Sequence, residues 1–357
     1  MKIIHISYSY DFTDGGITTV VKQIIKEQKK ANLSVEWLAS NQFSNPLRVE
    51  DFIKKIYEAN PSIIHLHGLW RLHTRITSTF IQRGTPYIIA PHGMLDKWAL
   101  KQSSLKKKLS WNIWEKKALD NCSFIHALCN SEVKSINKIN SLWKTYDITN
   151  GINLPPKKNT SAKQLAKRWN KKIPNDVEIL LFMGRFHKKK GINELVRAWE
   201  KISDLECSKN WWLCFVGGGD FEILKNKDFN DSKKRINISK PAFDVEKDEI
   251  LRSASAFVLS SFSEGLPMAV LEAMSYGIPC LISENCNLPE VLEIGAAIKT
   301  NPSVNEIADS LKKLFQMDIE KRNMMTRKAY KYISEKHCWS DLTSRIKDLY
   351  NSICKDE

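Results

Sequence analysis

The chain has 357 residues, enough for about two domains, and carries 55 basic against 40 acidic residues for a formal net charge of +15. Its eight cysteines are dispersed with no CxxC pair, and no apolar run approaches the roughly 18 residues of a membrane span. That argues against a disulfide scaffold and an integral membrane protein. Zinc-finger spacing, an RNP motif and an isolated basic tail are also missing, so nucleic acid is not expected as a partner.

Along the chain, apolar runs alternate with amphipathic segments. Lys2–Ser7 reads as a first strand, and Met1-Lys2 leads into it without a leader, which together with the dispersed thiols fits a cytosolic enzyme. Asp14-Gly15-Gly16-Ile17 follows and opens a helix. Two glycines there let the backbone approach a phosphate closely. Ser34–Ala39, Ser62–His67, Pro86–Pro91 and Ser123–Leu128 read as further strands, and such alternation predicts βαβ units and a parallel sheet. His65 and His67 are placed on opposite faces of their strand, so no metal cluster is expected. His92, in Pro91-His92-Gly93, lies at the carboxyl end of the strand Tyr87–Ala90. It is either a structural hydrogen-bonding residue or a catalytic one. From Lys97 to Lys117, seven lysines interleave with Trp98, Leu100, Leu105, Leu109, Trp111, Ile113 and Trp114. As a helix from about Ser104 this stretch is basic and amphipathic, and it suits either an anionic membrane surface or tryptophans packed on a sheet under solvated lysines.

Asn150 to Ser161 is rich in turn formers and reads as an interdomain connection, giving domains of 1–152 and 153–338. Strands recur at Val177–Gly184, Trp211–Gly217, Ala256–Ser260 and Pro279–Ser283. The run Phe182 to Gly191 is a buried strand entering a basic loop, with a helix from Ile192. Arg185 can grip a phosphate bidentately and Lys190 acts as a point charge, both at a carboxyl strand end where open α/β sheets bind ligands. Further on, Glu264 and Glu272 flank Gly265-Leu266-Pro267, a tight loop expected to open a helix with Pro267 in its first turn. Such a helix mouth suits a diphosphate, and the two carboxylates suit hydroxyl groups of a sugar or ribose. A plain surface helix with two solvated glutamates is the alternative.

Taken in order, Gly15-Gly16, Pro91-His92-Gly93-Met94, Gly184-Arg185 with Lys190-Gly191, and the Glu264/Glu272 pair resemble the motifs of the retaining glycosyltransferases of family 4, the group 1 glycosyl transferases. The resemblance runs from Met1 to the Trp339 region. It implies an α/β GT-B fold, in which two Rossmann-like domains with parallel sheets face each other across a cleft. The first would bind the acceptor, the second the nucleotide-sugar donor, and a last helix at about 339–357 would pack back on the first.

It also implies roles. Arg185, Lys190 and the Gly265–Leu266–Pro267 turn would receive the diphosphate, with Gly15 and Gly16 beside them. Glu272 would hold the ribose, and Glu264 and His92 would serve at the donor sugar. His67 is the weaker candidate, on the acceptor side. No metal and no further cofactor is expected. The acceptor would be a glycan or a lipid-linked glycan in cell-surface polysaccharide synthesis, with the protein peripheral on the inner face of the plasma membrane through 97–117. Two other readings stand beside this one: a sugar-nucleotide epimerase of the same fold, and a non-catalytic sugar-nucleotide or membrane-binding protein.

Overall fold

The computed structural model spans residues 1–357 and describes all of them except 12–15, 44, 103, 156–172, 175, 221–233 and 356–357. The chain forms two compact units, Met1–Gly151 with Cys338–Glu357, and Ile152–His337. Each contains one six-stranded sheet with its pairs parallel.

In the first unit the strands are β1 (Lys2–Ser7), β2 (Ser34–Ala39), β3 (Ile63–His67), β4 (Tyr87–Ala90), β5 (Phe124–Ala127) and β6 (Thr145–Asp147), in the order β2-β1-β3-β4-β5-β6. In the second they are β7 (Glu178–Met183), β8 (Trp211–Val216), β9 (Ile236–Ser239), β10 (Ala256–Leu259), β11 (Cys280–Ser283) and β12 (Ile298–Thr300), in the order β12-β11-β10-β7-β8-β9. The central strands are mostly apolar because helices cover both faces of a parallel sheet, the buried histidines of β1, β3 and β5 being among the exceptions. Their observed ends lie within a residue or two of those expected from sequence. The three strands not expected, β6, β9 and β12, each sit at a sheet edge.

Helix α1 (Gly16–Lys30) buries Thr18, Val21, Ile25 and Gln28 at helical spacing. Helix α2 (Val49–Glu58) and helix α3 (Asn130–Ile139) cover the other face of the first sheet, with Phe52, Ile56 and Ile136 in the same core as Ile4, Ile6, Ile64 and Leu66. In the second unit, helices α4 (Ile192–Ile202), α5 (Asp244–Ser253), α6 (Met268–Ser275), α7 (Val304–Phe315) and α8 (Ile319–Lys336) enclose one continuous core around β7, β8 and β10. The last helix, α9 (Trp339–Lys355), belongs to the first unit. Its Leu342, Ile346, Leu349, Tyr350 and Ile353 pack on Ile3, Ile63, Ile88 and Ile148. Of the connecting stretch Asn150 to Ser161, residues 156–161 lie outside the described residues.

Beside the α9 contact the first sheet buries polar side chains. His5, His65, His67 and His126 are at most 1 % exposed. His5 and His65 are register partners on β1 and β3, and the rings of His65 and His67 stack with centroids 4.4 Å apart. His65 and His67 therefore share a face, which corrects the expectation of opposite faces: side chains two apart on a strand point the same way. Burial lowers the pKa of His5, His73 and His126 to about 4 and that of His92 to about 3. His65 and His67 are also held well below 6.5, first by burial and then by the neighbouring imidazoles. Burial acts the other way on Glu115 and Glu132, both raised to about 7.

These shifts predict a pH dependence of stability. The unfolded chain protonates the histidines near 6.5 and the fold only far below, so their contribution is present above pH 6.5 and is lost as pH falls toward 4. Glu115 and Glu132 oppose this, because the fold holds their protons between about 4.5 and 7 when the unfolded chain does not. Six imidazoles outweigh two carboxyls, each proton being worth about 1.4 kcal/mol per pH unit. The melting temperature should drop between pH 6.5 and 5, and a flat or rising profile in calorimetry would contradict the assignment.

Candidate functional site

In an open parallel sheet the crevice forms where neighbouring strands send their connections to opposite faces. In the second sheet that point lies between β7 and β10. The loops leaving these two strands carry Arg185, Lys190, Glu264 and the turn Gly265–Leu266–Pro267.

The two loops are latched together. Phe262 donates its backbone N–H to the carbonyl of Lys189 at 2.7 Å. Gly191, which starts α4, has φ +67°, and a Cβ there would lie 2.2 Å from the carbonyl oxygen of Ser260. Left-handed backbone and close approach both require glycine at this position. Across the latch the ammonium of Lys190 donates to Glu264 Oε1 at 2.7 Å, and Ser261 Oγ donates to the same oxygen at 2.5 Å. Glu264 is 5 % exposed. Burial alone would raise its pKa, but the charges of Lys190 and Lys189 and the hydrogen bonds from Lys190 and Ser261 outweigh it and hold the carboxyl below its ordinary value. Asn287 Nδ2 donates to the carbonyls of Glu264 at 2.5 Å and Gly265 at 3.2 Å, fixing the turn that follows. Arg185 is exposed at the end of β7.

Helix α6 begins at Met268 with Pro267 as its N-cap residue, one position earlier than expected. Leu266 packs against the core while Gly265 is half-buried. Glu272 lies one turn into α6 and forms an ion pair with Lys247 of α5 at 2.6 Å, both side chains about a quarter exposed. Lys247, Ser261 and Asn287 were not singled out from the sequence. Nothing in local pattern marks them, since each meets its partner only through the packing of separate elements.

In the first unit the switch lies between β1 and β3. Gly15 is outside the described residues. Gly16 opens α1, and a Cβ there would meet no atom within 4 Å among the described residues, so its backbone is accessible. The turn after β4 places His92 at φ +54° and Gly93 at φ +76°. A non-glycine residue held left-handed is uncommon and costs on the order of 1–3 kcal/mol. Glu132, on α3, holds the turn: its Oε1 accepts from the N–H of Gly93 at 2.6 Å and its Oε2 from that of Leu128 at 2.8 Å. The His92 ring is fixed from the other side by His67, Nε2 to Nδ1 at 3.1 Å.

The basic stretch resolves into a short helix Lys97–Lys101 and a longer helical run composed of Ser104–Ser110, a π-helical turn Trp111–Glu115 and Lys116–Asp120. Trp111 packs against the core. Outward, Leu105, Leu109 and Ile113 are 82 %, 63 % and 60 % exposed, forming an apolar stripe among Lys101, Lys106, Lys108 and Lys116. Next to it lies a largely apolar cavity of about 300 Å³ lined by Trp70, Leu100, Lys107, Trp111 and Ile139. Among the described residues no helix is long and apolar enough to cross a membrane.

The model of the family described as Glycosyl transferases group 1 matches residues 163–332. An uncharacterized glycosyltransferase of Haemophilus influenzae is 31% identical over 154 residues, 41% of this chain and 39% of that protein. The UDP-Gal:alpha-D-GlcNAc-diphosphoundecaprenol alpha-1,3-galactosyltransferase of Escherichia coli is 30% identical over 146 residues, 38% of this chain and 36% of that protein. The chain thus spans well under half the length of these two relatives. In structure it is similar to the sucrose-phosphate synthase of Thermosynechococcus elongatus, with a TM-score of 0.81, 17% identity and full coverage of both chains, a likeness of fold. The chain adopts a GT-B fold, and its residues 163–332 are similar to the glycosyl transferases group 1 family.

Proposed function

We propose that this protein is a retaining glycosyltransferase of family 4 that moves a sugar from a nucleotide-sugar donor to a glycan or lipid-linked glycan acceptor in cell-surface polysaccharide synthesis. The observation that carries the reading is the Lys190–Glu264 pair, set with Arg185 at the switch point of the second sheet. The similarity to an Escherichia coli enzyme that uses UDP-Gal and a diphosphoundecaprenol-linked acceptor supports the class of donor and acceptor.

The chemistry follows from the charges that develop. The bond from the anomeric carbon to the diphosphate breaks, leaving positive charge on the sugar and negative charge on the leaving group. Arg185, Lys190 and the N-terminus of α6 at Gly265–Met268 neutralise the diphosphate electrostatically. These cations take the place of a divalent metal. Glu264, kept ionised by its neighbours, accepts from a donor-sugar hydroxyl and steadies the cationic carbon. Glu272 exchanges its Lys247 partner for the ribose hydroxyls. His92 serves a sugar hydroxyl, and Gly16 leaves room for a phosphate. The acceptor oxygen attacks from the face the diphosphate departs, and its proton goes to the leaving phosphate oxygen, so configuration is retained. The exposed stripe Leu105, Leu109 and Ile113, ringed by lysines, suits a peripheral seat on an anionic cytoplasmic membrane face.

Lys190→Ala should lower kcat at least about 100-fold, as expected when a transition-state charge contact is lost. Because the change also unpairs buried Glu264, its melting curve must be recorded alongside; near-normal turnover in a folded variant would sink the leaving-group assignment.

Donor binding is tested by thermal shift with UDP-, GDP- and ADP-sugars in EDTA. One series should stabilise the wild type, and Glu272→Ala should lose most of that shift. A shift that requires added metal would overturn metal independence.

Wild-type protein should co-sediment with vesicles containing phosphatidylserine and release at high salt. A Leu105→Ser/Leu109→Ser/Ile113→Ser variant that still sediments would remove the membrane assignment.

A further inference from the structure

Seven hydrogen bonds run head to tail through the interior of the first unit. His92 Nε2 meets His67 Nδ1 at 3.1 Å, and His67 Nε2 meets His5 Nδ1 at 2.9 Å. His5 Nε2 meets Gln28 Oε1 at 2.8 Å, and Gln28 Nε2 donates to Tyr350 Oη at 3.2 Å. Tyr350 Oη meets His65 Nδ1 at 2.8 Å, and His65 Nε2 meets His126 Nδ1 at 3.2 Å. His126 Nε2 ends on the carbonyl oxygen of Ile148 at 2.7 Å.

A carbonyl oxygen only accepts, so the last bond decides all the others. His126 must carry its proton on Nε2, which leaves its Nδ1 as an acceptor. His65 must then donate from Nε2, and its own Nδ1 accepts from the Tyr350 hydroxyl. The phenol oxygen is thereby committed to accept from the Gln28 amide, which turns Oε1 of Gln28 toward His5. His5 and His67 follow in the same sense. Burial keeps the imidazoles of the chain neutral, so each has one proton to give.

We infer that this chain sets the tautomer of His92, committing its proton to Nε2 and leaving Nδ1 as a bare lone pair that accepts from a hydroxyl group, with Tyr350 as the positioning residue that carries the order from α9 and Glu132 as the one that holds the turn. The role of that acceptor at a sugar rests on the function proposed above; the tautomer itself does not. The sheet acts at a distance through proton order alone.

The competing use of the same residues is a metal site, because one nitrogen each of His5, His65 and His67 lies within 4.8 Å of the others. The hydrogen bonds argue against it. All six ring nitrogens of the three residues already have a partner at 2.8–3.2 Å, and a metal would have to break the chain to take three of them.

The test is a two-bond ¹H–¹⁵N correlation spectrum of the full chain labelled at histidine, at pH 7, with no donor or acceptor added. All five imidazoles should show Nε2–H, and His92 should show an unprotonated Nδ1. In Tyr350→Phe, His65 and His126 should keep that signature, since the Ile148 carbonyl still anchors them. His5, His67 and His92 should become mixtures of both tautomers. A wild-type His92 protonated at Nδ1 overturns the inference, as does a folded Tyr350→Phe in which His92 is unchanged. If the variant fails to fold, the wild-type spectrum decides alone. Equimolar zinc should leave the five signals in place; their movement to metal-bound positions would assign the cluster to a cation instead.

Discussion

A parallel sheet sends the carboxyl end of every strand to one edge, and the chain must leave that edge through loops. Where two adjacent strands send their connections to opposite faces, the loops part and leave a gap. Each unit of this protein has one such point, between β1 and β3 and between β7 and β10. The opening of α1 lies by the first of these gaps, and Arg185, Lys190 and Glu264 lie by the second. The cores matter to function chiefly because they keep the loops from drifting. Gly191 shows how little freedom is left, since one added carbon would collide with the backbone of the facing loop.

The two units stabilise their polar groups by different means. In the second, buried Glu264 stays charged because two lysines and a serine surround it. In the first, the histidines stay neutral and satisfy one another, and burial raises Glu115 and Glu132. A buried charge with a partner holds a strong local field, whereas a buried neutral chain holds an orientation. The first can act on a charge that develops nearby, and the second can fix a direction of hydrogen bonding.

Much of the fold is legible in the sequence because strands buried on both faces are apolar at most positions. Ile179 to Met183 and Ala256 to Leu259 announce themselves this way. Thr145–Asp147, Ile236–Ser239 and Ile298–Thr300 do not, because an edge strand is short and half of it can remain polar. At the site, Arg185, Lys190 and Glu264 could be picked out from the strand-to-loop transitions that carry them. Their pairing could not, as Lys190 and Glu264 are 74 positions apart and meet only through the order of β10 and β7. The two histidines of β3 follow a simpler rule. A spacing of two on a strand means a shared face, and this makes His65 and His67 a pair. Tyr350, 285 positions from His65, gives no sign of its partner except its place on the buried stripe of α9.

The brevity of the outer strands has a bearing on self-association. An exposed strand edge is a row of unpaired amide groups that another chain can extend, and long flat edges invite fibres. Three of the four sheet borders here end in strands of three or four residues, β6, β9 and β12. Such borders present too few consecutive donors and acceptors to seat a foreign strand. Both borders of the second sheet and one border of the first are protected in this way by their own shortness, and the six-residue β2 is the one long border of the four.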